Sequence, residues 1–176
     1  MRFVTSDNHF GHANIIGYCK RPFADVDEMD DTMISLWNET VSDNDTVIHL
    51  GDFCLGNREM ALKYMRQLNG HIIMLVNLWH HDKRWVRGMR VLPHTGVLDG
   101  INIDFVDPIY VENQITFCHF PLEEWHASYH GAVHLHGHQH GNGKILRKNR
   151  LDVSVDCTNF RPITIDEAIE RARRIE

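Results

Sequence analysis

Apolar and polar positions along this chain follow two periods, and the switches between them mark the expected elements. Arg2-Phe3-Val4-Thr5 has the composition of a short strand and ends abruptly in the polar cluster Ser6-Asp7-Asn8-His9. Over residues 25–41, Met29, Met33, Leu36, Trp37 and Thr40 recur at helical spacing, with acids crowding the first turn where the helix dipole favours them. Thr46-Val47-Ile48-His49-Leu50 is a second buried strand that stops at Gly51-Asp52. A second amphipathic helix is predicted over about 58–68 through Met60, Ala61, Tyr64, Met65 and Leu68, closed near Asn69-Gly70. A third strand, 72–76, again runs into polar groups, Asn77 and then His80-His81-Asp82.

After Gly88 the alternation weakens. Residues 97–105 and 110–118 read as antiparallel strands around an Asp107-Pro108 turn, the latter ending in His119. Val133-His134-Leu135-His136 leads into Gly137-His138-Gln139-His140, and 151–155 supplies one more strand. Thr164-x-x-Glu167 is a capping box that opens a final helix through Ile169 and Ala172. No internal repeat or low-complexity linker interrupts this order. The pattern predicts one α/β domain over residues 1–176 with mixed parallel and antiparallel strands, in which strand after strand delivers Asp or His to one rim.

Composition sharpens that picture. The 176 residues include 14 histidines, an excess that points to metal binding or proton transfer. Four scattered cysteines, Cys19, Cys54, Cys118 and Cys157, have no C-x-x-C pairing, so they read as thiols and not as a disulfide framework or zinc ribbon. The longest aliphatic run, Ile72-Ile73-Met74-Leu75-Val76, is far below the ~20 residues that span a bilayer, and no apolar signal segment precedes Ser6; the chain reads as cytoplasmic, with no membrane partner. A net charge of -6 gives no global attraction for a polyphosphate backbone, and no basic stripe exists beyond Lys144, Arg147, Lys148 and Arg150, so extended nucleic acid is disfavoured.

The strand-end residues suit divalent first-row metals, which take imidazole nitrogen and carboxylate oxygen. Two such ions held ~3.5–4 Å apart form a clamp for in-line attack at phosphorus. Asp7-x-His9 and His138-x-His140 each place two ligands on one side of an extended backbone. Gly51-Asp52 offers a carboxylate that could bridge two ions, the glycine leaving room for close approach.

Taken in order, Asp7-x-His9, Gly51-Asp52, His80-His81-Asp82, His119 and Gly137-His138-x-His140 resemble the calcineurin-like metallophosphoesterase superfamily across nearly the whole chain. The stretches Phe10-Gly11-His12-Ala13-Asn14-Ile15-Ile16, Arg21-Pro22-Phe23, His49-Leu50-Gly51-Asp52-Phe53 and Asn159-Phe160-Arg161-Pro162 are similar to its small bacterial and phage members. The resemblance implies a four-layer α/β/β/α sandwich of two mixed sheets with a dinuclear centre along one edge. One ion would be held by Asp7, His9, Asp52 and His140, and the second by Asp52, His119 and His138. It implies Mn2+ first, with Fe, Ni, Zn or Mg as alternatives.

The chain departs from the pattern at one motif. Where the family has Gly-Asn-His-Asp, this sequence reads Trp79-His80-His81-Asp82, preceded by Asn77-Leu78. His80 could replace the asparagine ligand, Asn77 could supply the amide from a lengthened loop, or water could fill the position. His81 would protonate the leaving oxygen and Asp82 would orient it, although Asp82 also reads as the N-cap of a helix starting at Lys83. Arg21, His12 and Arg161 are the candidates to touch substrate.

The implied activity is hydrolysis of a small or nucleotide-like phosphate ester, a diester ahead of a monoester, by a hydroxide held between the two ions. A fold that has lost catalysis at Trp79-His80 and serves as a binding module is the alternative.

Overall fold

The computed structural model describes residues 1–76, 81–89 and 96–175. In chain order the elements are β1 (Arg2–Thr5), α1 (Ala13–Cys19), α2 (Val26–Thr40), β2 (Thr46–His49), α3 (Arg58–Met65), β3 (His71–Leu75), α4 (Lys83–Met89), β4 (Val97–Leu98), β5 (Ile101–Val106), β6 (Ile109–Glu112), β7 (Ile115–Cys118), β8 (Val133–His136), β9 (Arg150–Asp152), β10 (Ile163–Thr164) and α5 (Ile165–Arg173). They build an α/β sandwich of two mixed sheets. The first has the order β10-β1-β2-β3-β5-β4 and the second β6-β7-β8-β9.

The period-two alternation of the strands divides the core into two layers. Phe3, Val47, Ile72, Met74, Ile103 and Phe105 face the helices and pack against Met29, Met33, Trp37, Leu62, Met65 and Trp85. Their neighbours Val4, Ile48, Leu50 and Leu75 point the other way and meet Phe117, Val133 and Leu135 of the second sheet. The capping box forms as expected, with Thr164 accepting from the Glu167 backbone N–H. Ala168 and Ala172 of α5 enter the layer between the sheets. The outer face of the second sheet is covered by the segment after His119, where Trp125 lies 5.4 Å from the His134 ring.

Three local expectations change. Residues 97–105 and 110–118 do not pair with each other. Val97–Leu98 and Ile101–Val106 form their own hairpin over Asp99-Gly100, and β5 joins β3 in the first sheet. The second hairpin, β6–β7, turns at Asn113-Gln114, both in the left-handed region. Asp107-Pro108 therefore crosses between sheets. Helix α1 carried no sequence signal: it has seven residues, no acid in its first turn and no side-chain cap. Among the described residues, no helix is long and apolar enough to cross a membrane.

Parallel pairing sets the rim. Thr5 pairs with His49 and Ile48 with Ile73, so β1, β2 and β3 end side by side. In the second sheet Phe117 pairs with Leu135, which brings the ends of β7 and β8 level. A bridge between Ser6 and Ser154 joins the two rims.

Candidate metal centre

Five residues at these strand ends occupy the left-handed backbone region: Asp7, His9, Asp52, His138 and His140, with φ of 62°, 55°, 51°, 71° and 50°. Such a conformation costs a non-glycine residue roughly 1–2 kcal/mol and persists only where its surroundings fix it. Here the fixing bonds run from strand end to strand end. Asp7 N–H donates to Gly51 O, His9 N–H to Asp52 O and Gly137 N–H to His119 O, each at 3.0 Å. The two ligand pairs therefore do not lie on extended backbone as the x-spacing suggested; left-handed turns after the strands bring them together. Gly51 is itself at φ +116°, and a Cβ there would press on the His119 ring. At Gly137 a Cβ would overlap the Asp7 carboxylate and the Ser6 side chain.

The side-chain spacing has a consistent length. His9 Nε2 lies 3.8 Å from Asp7 Oδ1 and 3.6 Å from Asp52 Oδ2. His119 Nε2 is 3.6 Å from Asp52 Oδ2, and His140 Nε2 is 3.6 Å from Asp7 Oδ1. These separations exceed a hydrogen bond. Donors ~2.1 Å from a metal and 90–120° apart lie about 3–3.6 Å from each other, so the three 3.6 Å pairs suit two ligands of one ion and the 3.8 Å Asp7–His9 pair lies just beyond that range. Asp7 Oδ1 and His9 Nε2 are buried with no hydrogen-bond partner. Buried polar atoms left this way are costly unless a cation satisfies them. Asp7, His9 and His140 form one set whose ligand atoms lie within 4.8 Å of one another; Asp7, Asp52 and His119 form another. Both could hold a divalent ion.

Burial, with a smaller contribution from the Asp52 charge, pushes the Asp7 carboxyl up to about 7. Burial also drives His9 well below the usual histidine range. A divalent cation would favour an ionised carboxylate beside neutral imidazole, the forms that ligate. Burial would likewise lower His140, but its hydrogen bond to Asp156 and the Asp7 charge outweigh it and leave the ring raised.

The other candidates separate. His81 stands 5.1 Å from the His9 ring and 5.3 Å from His12, so the three imidazoles line one end of the site. His138 is exposed, with its ring 5.2 Å from His119 and 4.9 Å from Phe120, while its backbone N–H donates to Asp7 Oδ2 at 2.9 Å. His80, with Asn77 and Trp79, lies outside the described residues.

Two expected roles do not match the bonding. Asp82 does not orient His81. Its Oδ1 accepts from Phe53 N, Cys54 N and Trp85 Nε1 at 3.0, 3.3 and 2.7 Å, and its Oδ2 has no hydrogen-bond partner. It fixes the backbone that follows Asp52, and burial and the Asp52 charge push it up to about 7. Arg21 is buried and turned inward, donating to Asp7 O, Asn8 O and both oxygens of Asp156. It has no free fork for a phosphate. Arg161, expected to touch substrate, is exposed.

His49 reads from its strand position as a satisfied core histidine, and it is one, whereas Asp30 and Asp156 went unread in the sequence. His49 accepts from Gly51 N–H at Nδ1, which leaves its Nε2–H to donate to Asn8 Oδ1 at 2.9 Å. Asp30 accepts from Gly11 N–H and from the Tyr64 hydroxyl, pinning the turn before His12. Asp156 directly follows the strand expected over 151–155. The same strand-end logic that found Asp7 and Asp52 would have found it.

Fold and site together define an α/β sandwich protein with a buried carboxylate–imidazole centre at the sheet edge. The chain belongs to the family of the uncharacterized protein MJ1445 of Methanocaldococcus jannaschii, with which it shares 31% identity over 172 residues, 93% of this chain and 86% of that protein. The Gene 66 protein of Mycobacterium phage L5 is 23% identical over 98% of this chain and 94% of its own. The crystal structure of AQ665, a protein of unknown function from Aquifex aeolicus, matches with a TM-score of 0.66 at 20% identity, covering 95% of this chain and 96% of that one, and shows the same fold. No family model matches the sequence.

Proposed function

We propose that this protein is a metal-dependent phosphoesterase of the calcineurin-like metallophosphoesterase superfamily, acting on a small or nucleotide-like phosphodiester. The observation that carries the reading is the position of Asp52: its Oδ2 lies 3.6 Å from both His9 Nε2 and His119 Nε2, as a carboxylate shared by two ions would. Two divalent ions, Mn2+ first among the candidates, would activate water and neutralise charge on the phosphoryl oxygens. Asp7, His9, Asp52 and His140 would hold one, and Asp52, His119 and exposed His138 the other.

The chain's own groups supply the rest. His81, half-buried with its ring 5.1 Å from that of His9, would give a proton to the leaving oxygen. The preference for a diester follows from the arginines. Arg21 is consumed by backbone carbonyls and Asp156, so among the described residues the site offers imidazoles and no inward guanidinium fork for a dianionic monoester.

The test is hydrolysis of bis(p-nitrophenyl) phosphate by apo protein with Mn2+, Ni2+ or Zn2+ restored. Metal-dependent turnover is the expected result. Folded protein that binds the ions and turns over nothing with any of them would leave only the binding-module alternative.

A further inference from the structure

The Arg21–Asp156 pair bonds both to His140 and to the turn that carries Asp7 and His9. Asp156 Oδ2 accepts from His140 Nδ1 at 2.6 Å. Its two oxygens also take the Arg21 fork, Nε at 2.9 Å and Nη2 at 2.8 Å. The same guanidinium donates to Asp7 O at 2.8 Å and to Asn8 O, immediately before His9, at 2.9 Å. One ion pair thus spans the imidazole of His140 and the left-handed turn that carries Asp7 and His9. The pair is buried, and the Phe160 ring packs over the guanidinium, 5.9 Å from its carbon. Val155 N–H donates to Ser6 O at 3.0 Å, which ties the Asp156 turn to the first strand's end.

The chemistry is directional. If His140 Nε2 faces the ion, its proton sits on Nδ1, where Asp156 accepts it, fixing tautomer and ring orientation. Arg21 neutralises Asp156, so the carboxylate orients the imidazole without adding an unbalanced charge to the buried site.

We infer that Asp156 is a positioning residue for His140 and, with Arg21, selectively braces the Asp7/His9/His140 metal site. The inference rests on the metal reading proposed above. By contrast, Asp82 braces the backbone after Asp52 and belongs to the other side of the centre.

The test is titration of the full-length apo protein with Mn2+ by calorimetry. The expected result for Asp156→Asn is ~10–100-fold weaker binding in one event and little change in the other, with partial rescue by Asp156→Glu. Glu170→Gln, a charge loss on the exposed face of α5, should leave both events unchanged. Co2+-loaded Asp156→Asn should also show an altered visible spectrum, because the His140 ring is freed to turn. Unchanged isotherms and spectrum in Asp156→Asn would overturn the inference alone, as would equal weakening of both events in a variant that melts like wild type. Wild-type protein that binds no Mn2+ would overturn the metal reading and the inference with it. A measurement that needs no variant at 156 guards against misfolding: His140 Nδ1–H should give a low-field proton resonance in the wild type that disappears in His140→Ala. Its absence from the wild type would contradict the bond.

Discussion

At the scale of single residues, the centre is made by groups whose chemistry depends on who shares them. Asp52 is shared between His9 and His119, whereas among the described residues His140 Nε2 pairs with Asp7 alone. Asp52→Asn should therefore weaken both metal-binding events, and His140→Ala chiefly one, as read by titration of each variant with Mn2+. Equal losses in both events for His140→Ala would contradict the assignment. Asp7, His9, Asp52, His119, His138 and His140 were legible in the sequence because each follows an apolar run. The bonding of Arg21 and Asp82 was not. A guanidinium or carboxylate beside a motif looks the same in one dimension whether it faces substrate or backbone, and only the three inward partners of each decide it.

At the scale of elements, the rim depends on how loops are held against strands. His134 on β8 is a buried clip: Leu122 N–H donates to its Nε2 at 3.0 Å, so its Nδ1–H donates to Thr116 O at 3.0 Å. The Leu122 bond needs the neutral ring, because a protonated Nε2 cannot accept, and burial lowers His134 to about 4. The sign follows directly. A histidine lowered from its usual ~6.5 stabilises the fold above that pH, and the contribution is lost as pH falls towards 4. In chelator, melting curves of wild type and His134→Gln should converge between pH 7 and pH 5, the wild-type advantage shrinking by about 2 kcal/mol. A constant difference across that range would show that His134 does not titrate with unfolding. The clip anchors the segment that follows His119, and its sequence signal was a bare alternation indistinguishable from any half-buried strand. The Asp99-Gly100 hairpin was a readable signal passed over, while Asn113-Gln114 carried none, since neither residue is glycine.

At the scale of the whole molecule, the centre joins the two sheets. Asp7, His9 and Asp52 leave the first sheet, and His119 and His140 leave the second. An ion bound by both groups cross-links the sandwich and stabilises only the folded state. At 100 times its dissociation constant, such an ion contributes about 2.7 kcal/mol, which for a chain of this size is ~5–10 °C in melting temperature. Adding a chelator to Mn2+-loaded protein should lower Tm by that order. An unchanged Tm would mean that the ion does not bridge the sheets.

What the sequence determined by itself was most of the element order and the Asp and His residues at the strand ends; the two-sheet sandwich was implied by the family resemblance. Hydrophobic periodicity and the abrupt switch to Asp and His are local properties, and both survive in one dimension. Only the tertiary structure decided which strands share a sheet, that the strand-end Asp and His residues sit in left-handed turns, and that Asp156 and Arg21 bond to His140 and to the Asp7 turn. Those outcomes depend on hydrogen bonds between residues as far apart as Arg21 and Asp156, and no local pattern encodes a partner at that separation.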